Sequence, residues 1–460
     1  MTVFKQKRIQ FFLLIAASYF FYAVSSGWFF LLLVTSTLLD FYCGKYMHTS
    51  KNPKRWLILS IVGNVGVLAY FKYTNFLIDN INALSQTIGV ESLIPTFAIA
   101  LPIGISFYTF QSMSYSIDVY RKRLKPIDSL LDFSLFVSFF PQLVAGPIVR
   151  AVDFLPQLKK PIRLIPENLK VGISYIGWGL IKKAVFADNI APFVNTIFAD
   201  PASYTSIQII IATFAFAIQI YCDFSGYTDM AIGSARVLGF KFPLNFNKPF
   251  FAKNPSDFWR KWHISLSSWV NDYIYTPLFR SLQQLKVIQR FSVKTRFFIA
   301  FILAIIIAEF LLGLWHGASW NFVWFGIWHG LIIIIYHSVK KYWNAWYTPI
   351  QMLITFYGVL IGFILFRQSD AQLLWITLQK FVFFDFALSG VFEFLFAHQQ
   401  AMVYILLFTV IHFLSWYKED TLHWISTLST WKWYLFVVLV TLVALSFYPS
   451  FSTEFIYFQF

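Results

Sequence analysis

Charge is what this 460-residue chain has least of. Asp, Glu, Lys and Arg together make up 12% of it, against about 25% in ordinary soluble domains. With 58% of the residues hydrophobic, a soluble globular reading is excluded. Cysteine is nearly absent as well. Cys43 and Cys222 stand far apart and neither belongs to a Cys-x-x-Cys pair, so neither a disulfide framework nor a zinc knuckle can be drawn. The chain has no P-loop, no Gly-x-Ser-x-Gly elbow and no Gly-x-Gly-x-x-Gly turn, which leaves nucleotide hydrolysis, serine-hydrolase chemistry and dinucleotide binding without support. It also lacks a repeat of 20 to 50 residues and any heptad array, so solenoids and coiled coils drop out. The net charge of +15 sits in short loops between apolar runs. That distribution fits positive-inside topology rather than nucleic-acid binding, because no basic domain stands apart.

What the chain has is aromatic and apolar: 21% Phe, Trp and Tyr, with 56 Phe. A membrane-spanning helix needs about 20 mostly apolar residues. Candidate segments are 9–25, 27–46, 56–81, 92–119, 129–149, 168–197, 205–222, 296–314, 319–339, 348–367, 372–396, 400–417 and 431–449. The expected fold is all-α, a polytopic integral membrane protein with a single embedded domain over 1–460. About eleven of its helices would lie in the membrane, joined by re-entrant and interfacial ones. Lys5, Lys7 and Arg8 precede an apolar run longer than a signal-peptide core, so the first helix reads as retained. Lys51/Lys54/Arg55 and Arg121/Lys122/Arg123/Lys125 follow at intervals of two spans, placing all three clusters on the cytoplasmic side. Lys159/Lys160/Arg163 comes after only one segment, which contains Pro141 and Pro147. A re-entrant element reconciles the count, since proline breaks helical hydrogen bonding and broken backbone survives at depth only inside protein or beside water. Pro102 and Gly104 interrupt 92–119 in the same way. Lys182 and Lys183 fall mid-run in 168–197, predicting a helix at the interface or beside an aqueous cavity. Residues 223–296 are expected to form interfacial and re-entrant helices over a cavity.

Three tracts gather polar groups among aromatics: Asp223-Phe224-Ser225-Gly226-Tyr227-Thr228-Asp229, then Asp257-Phe258-Trp259-Arg260-Lys261-Trp262-His263-Ile264-Ser265, then Leu314-Trp315-His316-Gly317-Ala318-Ser319-Trp320-Asn321. In the middle tract Phe258, Trp262, Ser265 and Trp269 fall on one face at helical spacing, predicting an amphipathic interfacial helix with His263 beside it. Each tract has a plain alternative. Asp223 and Asp229 could cap a helix or pair with Arg236. Arg260 and Lys261 could be interfacial anchors rather than a phosphate clamp, and the tryptophans could be belt residues. His329 suits packing or hydrogen bonding. His316 follows a long apolar run, where a titratable side chain is costly and marks a functional site by default. His316 and His329 lie 13 residues apart with no Cys or Glu at ligand spacing, so no metal site is expected. A lone buried histidine suits general-base work, taking a proton from a hydroxyl that attacks an acyl carbonyl. A second donor such as His263 could hold the oxyanion, and a membrane cavity would keep water from the thioester.

These tracts, with Phe139-Phe140-Pro141-Gln142-Leu143-Val144-Ala145-Gly146-Pro147 and Asn245-Phe246-Asn247-Lys248-Pro249-Phe250 in the same order, resemble the membrane-bound O-acyltransferases, in their bacterial alginate O-acetylation branch. The resemblance covers most of the chain and implies helices around a central cavity, with a catalytic core at about 100–340. It places the family's essential histidine on His316 and its second polar active-site residue on His263. It also implies acetyl-CoA as co-substrate with no bound cofactor, and a location in the bacterial cytoplasmic (inner) membrane. The acceptor would be a cell-envelope or secreted polysaccharide, reached through an extracytoplasmic transferase of the SGNH type. Trp262, Trp315, Trp320, Asn321 and Asp223 are counted with the substrate-binding group, and Lys182, Lys183, Arg260 and Lys261 with contacts to the phosphates of CoA. One departure is Asn271-Asp272-Tyr273, where the family usually has Arg-Asp-Tyr. The chain also starts near the family's second apolar segment. Two rivals belong to other classes: a transporter or flippase, suggested by the broken segments, and a non-catalytic membrane scaffold of a polysaccharide-modifying complex.

Overall fold

The computed structural model describes residues 6–89, 93–143, 146–159, 162–163, 165–417, 421–449 and 454–458. Lys5, Lys160 and the Val144-Ala145 step of the Phe-Phe-Pro tract lie outside the described residues. The described secondary structure is helical, without strands. Among the described residues, seven helical stretches are long and apolar enough to cross a membrane: Lys7–Thr49, Pro53–Thr87, Ser206–Val237, Val293–His316, Trp320–Trp343, Thr348–Arg367 and Gln399–Trp416. The first comprises two 20-residue helices, α1 (Lys7–Ser26) and α2 (Phe30–Thr49). Gly27, at φ 55°, ends α1 in a conformation that glycine adopts without Cβ strain.

Contacts gather into two compact units, residues 1–169 with 234–243, and residues 170–233 with 244–460. In the first, α1 and α2 are joined by α3 (Pro53–Thr87), α4 (Ile105–Tyr120) and α5 (Leu130–Ser138). Pro53 opens α3, where a missing N–H costs nothing. α4 begins only at Gly104, φ 75°, so the predicted break at Pro102–Gly104 is a helix start. Phe133, Phe136, Phe139 and Phe154 are fully buried together. Across α2, α3 and α4, Asp40 accepts hydrogen bonds from Ser60, from Asn64 at 2.8 Å and from Ser116 at 2.9 Å.

The second unit holds α6 (Pro166–Leu180) beyond its first turn, a π-helical stretch Ile181–Ala187 and α7 (Asp188–Ala199). α8 (Ser206–Val237) follows, its last turn counted with the first unit. The apolar run read as 205–222 therefore continues helically for fifteen more residues, and Asp223 and Asp229 lie inside α8 rather than in a surface element. Helices α6 and α8 touch backbone to backbone. A Cβ on Gly179 would lie 2.5 Å from the Gly226 carbonyl oxygen, the close approach that small residues permit in membrane helices. The predicted single helix through 258–269 is two: α9 (Pro255–Trp259) and α10 (Ile264–Val270), separated by a turn. Then come α11 (Val293–His316), α12 (Trp320–Trp343), α13 (Thr348–Arg367), α14 (Ala371–Val382), α15 (Gln399–Trp416) and α16 (Thr430–Ser446). The 372–396 run is not one helix: α14 is 12 residues long and stops at Phe383, too short to span.

Candidate active site

The turn between α9 and α10 ends on His263, which has φ 44° and ψ 51°. A non-glycine side chain is uncommon in that left-handed region, and such residues concentrate at functional sites. The conformation is enforced by the segment before α9. Asn247 N–H donates to the Lys261 carbonyl at 2.9 Å and Ile264 N–H to the Asn245 carbonyl at 2.9 Å. The Asn245 side-chain oxygen accepts from Ser265 N–H at 3.1 Å and Ser265 Oγ at 2.8 Å, and lies 3.3 Å from His263 Nδ1. An amide oxygen fixed by a backbone N–H can only accept, so His263 Nδ1 carries the proton and Nε2 the lone pair. His263 is 0% exposed. Burial first, and then the neighbouring His316, hold its imidazole well below the ordinary range, so it is neutral at pH 7.

His316 closes α11. Its Nδ1 lies 2.7 Å from the Leu312 carbonyl one turn earlier, again an acceptor only, so the proton sits on Nδ1 and Nε2 carries the lone pair of a base. Its imidazole packs edge-on to Trp315, Phe325 and Phe366, at ring-centroid separations of 5.0, 5.3 and 5.4 Å. Trp315 also touches His263, at 5.9 Å. The two histidines predicted from sequence therefore share one aromatic wall.

The third ring at this point was not foreseen. Tyr457, in the segment 454–458, lies 5.8 Å from the His316 ring and 6.2 Å from His263, with Phe224 at 4.4 Å. Burial pushes its phenol up, so it keeps its proton until a base takes it. Its backbone is anchored from below: Ile456 N–H donates to Asp223 Oδ2 at 2.7 Å. Asp223 Oδ1 pairs with Lys183 at 2.6 Å, and Lys183 pairs in turn with Asp188 at 2.8 Å. The adjacent Lys182 meets Asp229 at 2.6 Å. The aspartates are thus partners of the two mid-run lysines, not of Arg236. The one available sequence signal for Tyr457 is a phenol in an aromatic run beyond the last basic residue, Lys432.

The remaining candidates divide. Arg260 lines a cavity of about 600 Å³ with Ser256, Ser267, Asn271, Glu309 and Leu312, the last being the residue that holds His316. Its guanidinium is exposed and lies 3.3 Å from Asp257. Lys261 meets the same carboxylate at 3.0 Å. Lys182 and Lys183 do not line that cavity. Both are buried and already paired, so they serve α8 and the Tyr457 segment rather than a phosphate. Trp262 stacks on Phe258 at 5.6 Å and 17°, behind His263. Trp320 and Asn321 border a separate, strongly apolar cavity of about 620 Å³, and Asn321 donates to the Leu365 and Phe366 carbonyls. His329 is buried against Phe258 and Trp259, away from Tyr457. Among the described residues no three His, Cys, Asp or Glu side chains come together as a metal site would require.

In this polytopic helical protein two buried histidines thus meet one phenol. The chain belongs to the membrane-bound O-acyltransferase family, whose sequence model matches residues 16–369, and is a multi-pass membrane protein. It is 37% identical over 351 residues to the probable alginate O-acetylase AlgI of Azotobacter vinelandii, covering 74% of this chain and 65% of that one. It is 34% identical over 347 residues to the peptidoglycan O-acetyltransferase of Helicobacter pylori, covering 69% and 62%. With the teichoic acid D-alanyltransferase of Bacillus subtilis the identity is 30% over 280 residues, covering 57% and 68%. The chain spans a little under two thirds of the length of the alginate O-acetylase relatives.

Proposed function

We propose that this protein is an O-acyltransferase of the bacterial inner membrane. It takes an acetyl group from acetyl-CoA on the cytoplasmic side and loads it onto the Tyr457 hydroxyl, for delivery to a cell-envelope polysaccharide. The observation that carries the reading is the packing of Tyr457 against both His263 and His316. The donor would enter by the cavity that Arg260 borders, with its thioester near His316. His316 Nε2 takes the phenolic proton as the phenol oxygen attacks the carbonyl carbon. The C–S bond then breaks, the proton passes to the departing sulfur, and the products are free CoA thiol and an acetyl-tyrosine ester. His263, neutral and held by Asn245, orients the phenol and the acyl group from the other side.

A phenol is a chemically sensible receiver. Its ordinary pKa is about 10 and that of a thiol about 8.5, so an aryl ester keeps much of the thioester's transfer potential. An acyl group stored this way can move on to a sugar hydroxyl without further energy input, through an SGNH-type partner transferase. The aromatic surroundings exclude the water that would otherwise hydrolyse it. A transporter or scaffold has no use for a protonated phenol against two imidazoles.

The test is to incubate the purified full-length protein with radiolabelled acetyl-CoA and map the label by peptide mass spectrometry. An ester on Tyr457, absent from His316→Ala, is expected. Label transfer that is the same in His316→Ala as in the unmodified protein would sink the proposal.

A further inference from the structure

The second unit carries another cavity that the acyl chemistry does not use. It measures about 780 Å³ and lies where α7, the start of α15 and the stretch after α16 meet, a volume within the range of about 300–1,000 Å³ usual for small-molecule sites. Its membrane side can be read from the sequence. Residues 184–235, 381–417 and 433–460 contain no Lys or Arg, whereas Lys170, Arg236 and Lys432 stand near the opposite ends of the same helices; Arg367 and Lys380, which reach this end, are bound to Asn195 and to the Pro201, Ala202 and Tyr204 carbonyls. The positive-inside rule therefore puts this cavity on the non-cytoplasmic face.

The lining is specific in kind. Asn189, Gln399 and Gln400 bring carboxamides, His398 an imidazole, and Phe193, Tyr404 and Tyr448 aromatic faces; among the described residues no Asp, Glu, Lys or Arg lines it. Phe193 and Tyr404 are buried, while Tyr448 is 59% exposed, giving a fixed floor and an accessible rim. The Asn189 amide is locked, its Nδ2 donating to the Ala184, Val185 and Phe447 carbonyls at 2.9, 3.1 and 3.0 Å. Uncharged amides offer donor and acceptor together, and aromatic faces offer apolar area with little flexibility. A hexopyranose matches both, with hydroxyls around its edge and C–H groups on its faces. Nucleotides, CoA and phospholipid headgroups carry phosphate, for which the described lining offers no Lys or Arg.

We infer that this cavity binds a saccharide unit, an uncharged hexopyranose of a glycan chain. It also lies beside the anchor of the Tyr457 segment. Asn189 follows Asp188, which reaches Asp223 and Ile456 through Lys183. Nine residues separate Tyr448 from Tyr457, a reach of at most about 30 Å. A sugar held here would be within range of an acyl group carried on that segment. The inference does not depend on the acyl-tyrosine, because binding is read without any donor.

The experiment is saturation-transfer NMR on the full-length protein in nanodiscs, using cellohexaose and chitohexaose as probes and empty nanodiscs as the blank. Transfer to at least one probe is expected, weakened at least about tenfold in Tyr448→Ala and in Gln399→Ala/Gln400→Ala. These side chains are at the rim, so the variants are checked for unchanged thermal unfolding. His316→Ala, which is not part of the cavity lining, should keep the signal. No transfer from either probe, or equal transfer in folded rim variants, would overturn the inference. So would displacement of both variants' effects onto binding of a partner protein while sugar binding stays intact.

Discussion

Each unit of the molecule buries an aspartate within a helix, and the two are held in opposite ways. Asp40 is surrounded by neutral donors, Ser60, Asn64 and Ser116, drawn from two neighbouring helices. Asp223 is held by a cation, Lys183, and by the backbone N–H of Ile456. The first arrangement satisfies a carboxyl group with neutral donors and fastens α2, α3 and α4. The second spends one carboxylate oxygen on a lysine and the other on the segment bearing Tyr457. A buried ion pair is weak evidence for stability, because desolvation offsets much of its attraction. Its use here is positional: it sets the depth and direction of a phenol that must meet two histidines.

The largest expected effect comes from removing the phenol oxygen. Tyr457→Phe keeps the ring and its contacts, so the folded protein should persist while stable acetylation of the chain falls to background, read as label retained after denaturation. Asp223→Asn comes next. It leaves Lys183 with Asp188 alone and weakens the hold on Ile456, so acetyl-tyrosine formation should fall by about tenfold to a hundredfold. Breaking such a pair also costs about 3–5 kcal/mol of stability, and the labelling is therefore counted per folded molecule. The same substitution at Asp40 sharpens the contrast. Asp40→Asn still accepts from the serines, so a loss of about 1–2 kcal/mol is expected, with labelling per folded molecule unchanged. If the two substitutions lower labelling alike, Asp223 has no positioning role.

The sequence made part of this legible. The apolar runs predicted an all-helical membrane protein; His316 stood out because imidazole is costly next to lipid, and His263 through its place beside a predicted interfacial helix and the family resemblance. Three features escaped for physical reasons. The spacing of Phe258, Trp262, Ser265 and Trp269 suits one helix, but the strap from Asn245 and Asn247 forces His263 to positive φ, and tertiary hydrogen bonds override periodicity. Lys182 and Lys183 look like free cations until α6 and α8 come together at Gly179 and Gly226, bringing carboxylates 40 and 47 residues away into contact. Tyr457 has no local motif. Only the fold returns the segment 454–458 to Asp223, and a phenol among phenylalanines carries no mark of that contact.

The smallest expected effect concerns His263. Its imidazole is held well below the ordinary range by burial and by His316, so it stays neutral as the pH falls from 8 through about 6.5, the unperturbed value. Any fall in acetyl-tyrosine formation over that range must come from another group. His263→Gln keeps a side-chain amide able to donate to Asn245, so the rate should drop by about tenfold while the acid limb of the pH–rate profile stays where it was. A limb that moved or vanished in His263→Gln would mean that His263 titrates during turnover, and the roles of the two imidazoles would then be exchanged. The sign follows from linkage. A histidine with a depressed folded pKa binds fewer protons folded than unfolded, so its contribution to stability is complete above about pH 6.5 and is lost as the pH falls below it. Thermal unfolding of the unmodified protein should therefore weaken below that pH more than that of His263→Gln.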